Sequence, residues 1–217
     1  VSLFSAATVP ATFGNDGTAL TLGVKFRDTQ AGLISGIRFY KRAGSTGTNT
    51  AILWSSTGTK LAEAVSGNET ASGWQQVLFA TPVSIAANTT YVASYHSSSG
   101  DYAIVNPFFT TAIVNGPLRG LASGEDGPNG VYRYGTTPAF PNANYETSNY
   151  YVDVLFSTGA VSDVTPPQVS SVVPANNTTG VSLSTVVTVT FNEAMNIASV
   201  SSSTIELRTA ANVLIPA

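Results

Sequence analysis

The residues able to do chemistry in this chain are few, and most of them stand apart. His96 is the sole histidine. Ser97 and Ser98 follow it directly, but successive residues of a strand point to opposite faces and no G-x-S-x-G turn is present, so they do not build a nucleophile-base pair. A lone histidine in a β segment serves packing more often than catalysis. It also cannot supply the two histidines of many metal sites. Cysteine is absent, which removes disulfides, thiol nucleophiles and thiolate zinc sites together.

The chain has 12 Asp and Glu residues, mostly spaced singly. Glycoside hydrolysis by its usual route needs two carboxyl groups facing each other across the bond. Glu69 with Asp101 and Glu125 with Asp126 are the pairs to consider, and neither sits in a recognisable catalytic phrase. Glu125 and Asp126 in SGEDGPNG could instead give oxygen ligands to Ca2+, with Asn129 and main-chain carbonyls completing the roughly 6 to 8 oxygens that this ion takes. The loop lacks the D-x-[DN]-x-[DN]-G order, so a solvated turn is the plainer reading. No cofactor is required, and Ca2+ is the one ion worth testing.

Aromatic residues carry the stronger signal. Sugar rings present apolar C–H faces that stack on aromatic rings, while amides and carboxylates take their hydroxyls. Tyr102, Phe108, Phe109, Tyr132, Tyr134, Tyr145 and Tyr150 cluster within or beside one long irregular stretch, with Trp54 and Trp74 elsewhere at strand ends. Any single ring among them is as well explained by core packing. The candidate ligand-binding residues are Tyr102, Asp126, Asn129, Tyr132, Tyr134 and Tyr145, with Tyr132, Tyr134 and Asp126 expected to converge on one concave surface.

Lys25, Arg27, Arg38 and Arg42 form a candidate basic stripe for an acidic partner, although such side chains on a wet sheet face are usually only solvated. With 9 basic residues scattered singly and a net charge of -3, the chain has no footprint for a phosphate backbone, so nucleic acid is not an expected partner. No run approaches the roughly 20 apolar residues of a spanning helix, so membrane insertion is not expected. Charged residues make up 10%, less than half the usual ~25%, and Ser, Thr, Asn and Gly fill the surface in their place.

The elements that must position these residues are strands. In the stretch from Leu20 to Trp54, Leu22, Val24 and Phe26 alternate with Gly23, Lys25 and Arg27, then Ile37 and Phe39 with Arg38 and Tyr40. That pattern predicts three successive strands of one sheet, each with one apolar and one wet face. Lys60 to Ser66 and Gly73 to Pro82 read as the next pair, and Thr89 to Ser97 and Tyr150 to Ser157 as further strands. Period-2 alternation places Leu22, Val24, Phe26, Ile37, Phe39, Val77, Phe79, Val152, Val154 and Phe156 in one core, because a one-residue slip would turn a whole set outward. Between Ser98 and Asn149 strand signals are short and Gly, Pro and Asn frequent, as in functional loop regions. The domain organisation expected is residues 1–158, a linker at 159–165 leading into Pro166 and Pro167, and a second unit at 166–217. In that unit Gln168 to Val173, Val181 to Leu183, Val186 to Phe191, Thr204 to Leu207 and Val213 to Ile215 read as strands, and Pro174 to Gly180 as a turn.

The phrases LGVKF, GIRFYK with GTNT and LWSSTG, ETASGWQQV, TTYVASYH, GPNGVYRYG and FP followed by YYVDVLF occur in order. Through them the first unit resembles a bacterial extracellular family with a domain-of-unknown-function label. The resemblance implies a jelly-roll β-sandwich similar to carbohydrate-binding modules, and no functional residues are carried over from it. The second unit resembles the immunoglobulin-like repeats of bacterial surface-layer and adhesin proteins, through PPQVSSVVPANNTTGVSLSTVVTVTFNEAM and STIEL. Such repeats run to about 100 residues, so this unit is about half of one. Its open edges are expected to be covered by strand addition from another chain, by the first domain, or by the rest of a longer protein.

The fold class expected is therefore all-β, a jelly-roll-like β-sandwich followed by an incomplete immunoglobulin-like β-sandwich. The expected function is that of a non-catalytic extracellular or cell-surface module that binds polysaccharide or cell-surface glycan, or mediates adhesion. Copies of itself or neighbouring repeats are the further partners to expect. The alternative is a building block of a surface layer, stalk or filament acting through protein-protein contacts.

Overall fold

Alternating apolar residues leave a strand with one face to bury, and over residues 1–159 the chain buries its main strands against one another in two layers. The computed structural model describes residues 1–159, 167–193, 195, 200–201, 204, 206–209 and 211–215, and all regular elements among them are strands. The chain divides into two compact units, Val1–Val161 and Ser162–Ala217. Positions 160–165 of the expected linker lie outside the described residues.

The first unit holds β1 (Thr12–Asn15), β2 (Leu20–Asp28), β3 (Gly32–Lys41), β4 (Asn49–Ser55), β5 (Lys60–Val65), β6 (Gly73–Ile85), β7 (Thr90–Ser97), β8 (Asp101–Ile104), β9 (Ile113–Asn115), β10 (Leu118–Gly120), β11 (Val131–Tyr134), β12 (Ala143–Asn144) and β13 (Val152–Ser157). A large sheet runs β12-β11-β2-β7-β4-β5, with β10 on β2 and β9 on β10; a small sheet runs β13-β3-β6; and β1 pairs with β8. This is a jelly-roll-like β-sandwich.

The stretch from Leu20 to Trp54 does not form three strands of one sheet. Strands β2 and β4 both flank β7 in the large sheet, whereas β3 sits between β13 and β6 in the small one. Likewise β5 pairs with β4 and β6 with β3, so those two are not partners. Alternation along a strand reports which side is buried and carries no information about which strand lies beside it.

The ten residues expected to share a core do so, joined by Leu20, Ile34, Leu53 and Tyr95 among others. Phe39 and Tyr95 stack across the two layers with centroids 4.5 Å apart. Ile34 and Ile37 both point inward although they are three positions apart, because the β3-β6 register shifts between Ile34 and Gly36. A Cβ on Gly36 would lie 2.3 Å from the Val77 carbonyl oxygen, so this bulge needs glycine.

The outer faces are drier than alternation implies. On the large sheet Ile52, Trp54, Val92 and Val131 form a second buried cluster capped by Phe140, and the Trp54 indole N–H donates to Ser94 at 2.8 Å. Thr21 is buried beneath the same cover, and its Oγ1 accepts the Ala139 N–H at 3.3 Å and lies 3.1 Å from His96 Nδ1. His96 is thus a packed side chain, and Ser97 turns its hydroxyl to Ser99 instead.

Burial lowers the His96 pKa from its ordinary 6.5. The unfolded chain then binds the proton more readily than the folded one, so this contribution to stability is complete above about pH 6.5 and declines as pH falls below it. We expect the melting temperature to drop between about pH 7.5 and about pH 5.5, and to drop less in a His96→Gln chain, as measured by scanning calorimetry. Equal slopes in the two proteins would contradict this.

In the second unit β14 (Val169–Val173) pairs with β15 (Thr188–Phe191), and β16 (Leu207–Arg208) with β17 (Leu214–Ile215). The expected turn from Pro174 to Gly180 is present, closed by Thr178 N–H to the Ala175 carbonyl at 3.1 Å. The strand expected at Val181 to Leu183 is irregular backbone leading into a turn, with the Ser182 carbonyl accepting the Thr185 N–H. Of the candidate from Thr204 to Leu207 only Leu207 is in a strand, and position 205 lies outside the described residues.

Candidate functional site

Where β2 begins, Leu20 and Leu22 face inward and pair with Tyr134 and Tyr132 of β11 in antiparallel register, so both tyrosines stand on the same face as the leucines. Strand β8 adds Tyr102 and Ile104, the turn after β1 adds Asp16, and the segment before β13 adds Tyr145 and Tyr150. Together they line a cavity of about 300 Å3. Leu20 and Leu22 are fully buried, Tyr102 and Tyr132 half-buried, and Tyr134 and Tyr145 each 50% exposed. The site therefore has an apolar floor and a rim of accessible rings.

Its polar centre is Asp16. Tyr102 donates its hydroxyl to Oδ1 at 3.0 Å and Tyr134 to Oδ2 at 2.6 Å. The rings brace one another edge to face: Tyr132 with Tyr134 at 5.4 Å, Tyr102 with Tyr150 at 5.9 Å, and Tyr132 with Tyr150 at 6.5 Å between centroids. The bond to Asp16 pushes the Tyr134 pKa up to about 12, and burial does the same for Tyr150, to about 12. Burial and then the Asp16 bond raise that of Tyr102 as well. All three phenols keep their protons at physiological pH.

Of the residues singled out from sequence, Tyr102, Tyr132, Tyr134 and Tyr145 meet in this cavity, while Asp126 and Asn129 do not line it. The expected convergence of Asp126 with Tyr132 and Tyr134 is corrected. Asp126 serves the outer side of β2, where its Oδ2 lies 3.7 Å from Arg27 and its carbonyl accepts from Lys25 Nζ at 2.7 Å. Glu125 receives Arg119 Nε at 3.1 Å and Nη2 at 2.8 Å, together with the Ala122 N–H. The acid pair expected to face Ca2+ is thus turned toward guanidinium groups. Among the described residues no cluster of three or more His, Cys, Asp or Glu is placed to hold a metal ion.

Asn129 is fully buried and completes the large sheet. Strands β11 and β10 share one edge of β2, pairing with residues 20–23 and 26–28 and leaving Lys25 in the gap. There the Asn129 amide stands in for a strand: Oδ1 accepts the Lys25 N–H at 2.8 Å, and Nδ2 donates to the Lys25 and Leu121 carbonyls at 2.9 and 2.7 Å. We expect Asn129→Ala to cost about 2 kcal/mol through the groups it orphans. Chemical denaturation would measure this, and an unchanged midpoint would contradict it.

The basic stripe is not free either. Arg38 is buried against Asp153 at 2.7 Å, and Arg42 reaches Asp101 at 3.2 Å. Glu69 pairs with Lys41 at 2.8 Å, so Glu69 and Asp101 each face a cation of their own. Phe108 and Phe109 pack in and against the core. Trp74 stacks near Phe4 and under Arg38. Asp16 is the charged site residue that sequence reasoning missed, and Ile104 an apolar one. The Gly-Asn-Asp-Gly setting of Asp16 reads as an ordinary turn, and 118 positions separate it from Tyr134.

The family model described as Domain of unknown function (DUF4082) matches residues 7–152, and that of the Bacterial Ig-like domain matches residues 163–217. A search of curated proteins returned no match.

Proposed function

For a chain that belongs to the family described as Domain of unknown function (DUF4082) and carries a bacterial Ig-like domain after it, we propose the role of a non-catalytic glycan-binding module in an extracellular or cell-surface protein. In this reading residues 1–158 hold the ligand, 159–165 are a linker, and 166–217 belong to the Ig-like spacer. The observation that carries it is the cavity itself, in which five tyrosines and one carboxylate surround an apolar floor. Exposed ring faces with a few fixed polar groups are what a sugar ring requires. A cavity of about 300 Å3 suits one or two sugar units. The lining holds a single carboxylate, whereas the usual glycosidase chemistry needs two.

The test is a polysaccharide and glycan-array screen with the full chain, run with and without Ca2+. We expect binding that does not require the ion and that falls roughly tenfold or more in Tyr134→Ala, since an exposed ring at the rim contributes most where a ligand covers it. Binding untouched by Tyr134→Ala would remove the site. A silent screen would remove the glycan and favour a surface-layer or filament building block that contacts other copies or neighbouring repeats.

A further inference from the structure

We infer that this pocket selects an ammonium group, the free amine of an amino sugar without an N-acyl substituent, over neutral or acidic sugars; the inference rests on reading the pocket as a glycan site. Asp16 is the one charged residue in its lining. Of the basic residues, Arg42 is drawn at 3.2 Å to Asp101, which precedes Tyr102 in the chain. Arg133 lies between Tyr132 and Tyr134 in β11 and so points to the other face of the sheet. Glu146, which follows Tyr145 in the chain, is exposed and accepts a hydrogen bond from Asn106. The formal charge in the lining is thus negative, and the ring faces favour a cation as well, since an aromatic face attracts cations.

The hydrogen-bond inventory points the same way. A phenol has one proton to give, and Tyr102 and Tyr134 both give theirs to Asp16. What these two oxygens and the carboxylate still offer a ligand is acceptor lone pairs. An ammonium brings three donors and a positive charge to meet them. An N-acetyl group replaces that charge with a neutral amide and adds bulk, and a uronate brings a second negative charge toward Asp16.

Titration calorimetry on the full chain should compare glucosamine oligosaccharides, their N-acetylated counterparts and oligogalacturonate of equal length, in mildly acidic buffer where the sugar amine is protonated. We expect the amine form to bind about tenfold tighter than the acetylated form, with no measurable binding of the uronate. Asp16→Asn should bring the preference to within about twofold, and Tyr134→Phe, which frees one carboxylate oxygen while keeping the ring, should retain it. Circular dichroism would verify that both variants are folded. Equal or tighter binding of the acetylated oligomer, binding of the uronate, or an undiminished preference in Asp16→Asn would overturn ammonium selection and leave the glycan reading standing. If none of the three sugars binds, ammonium selection also fails, and the glycan reading then stands or falls on the broader screen.

Discussion

Replacing Asp153 with alanine is expected to destabilise the first unit by about 3–5 kcal/mol and to lower its melting temperature by about 10 °C. Asp153 is fully buried on β13, with Val152 and Val154 entering the core to either side. It points to the outer side of the small sheet, where it organises the segment that covers that side. Oδ1 accepts the Leu3 and Val154 N–H groups at 2.6 and 2.7 Å, and Oδ2 accepts Phe4 N–H at 2.9 Å. The same Oδ2 receives Arg38 Nε at 3.0 Å and Nη2 at 2.7 Å, while Arg38 also donates to the Phe4 carbonyl and lies 4.4 Å above the Trp74 ring.

A buried ion pair alone often adds little against a well-packed apolar substitute. Here the carboxylate also satisfies backbone donors, so replacing both partners with apolar residues leaves the Leu3 and Phe4 amides unpaired. The double variant Arg38→Met with Asp153→Leu is therefore expected to stay well below the native melting temperature. Scanning calorimetry of both proteins is the measurement. Recovery of native stability in the double variant would mean that the ion pair, and not the anchoring of residues 3–4, is what Asp153 supplies.

The second large effect is expected at Gly130. A Cβ there would lie 1.9 Å from the Ser148 carbonyl oxygen, and the residue has φ +73°. Positive φ costs an L-residue about 1–2 kcal/mol and the collision about 1–3 more, so Gly130→Ala should lose about 3 kcal/mol. Gly116→Ala, at φ +60° with its nearest neighbour 3.8 Å away, is the control and should lose only the backbone share. The consequence reaches the cavity. Ser148 donates its N–H and its hydroxyl to the Tyr145 carbonyl at 3.0 and 2.6 Å, so a shift at Ser148 moves Tyr145 and then Tyr150. In the same ligand titrations Gly130→Ala should weaken binding more than Gly116→Ala does. Equal losses in the two variants would show that the turn does not hold the rim.

The features legible from the residues alone are those set by local chemistry. Alternation at period 2 is enforced residue by residue, since each side chain must choose one face of its strand. Leu22, Phe39, Val77 and Val154 were therefore legible as core members. The tyrosine group was legible too, because Tyr132, Tyr134 and Tyr145 are close in sequence within one Gly- and Pro-rich stretch. The partners are a matter of long-range contacts. Which strand lies beside which depends on long-range pairing, and this is why β2 and β3 proved to lie in different sheets. Arg38 read as a solvated cation because nothing local announces a carboxylate 115 positions away. Asn129 read as a ligand residue because a side chain that fills a gap in a ladder has no sequence pattern. Asp16 read as a turn, and it became the polar centre of a pocket only when antiparallel pairing of β1 with β8 and of β2 with β11 brought distant segments together.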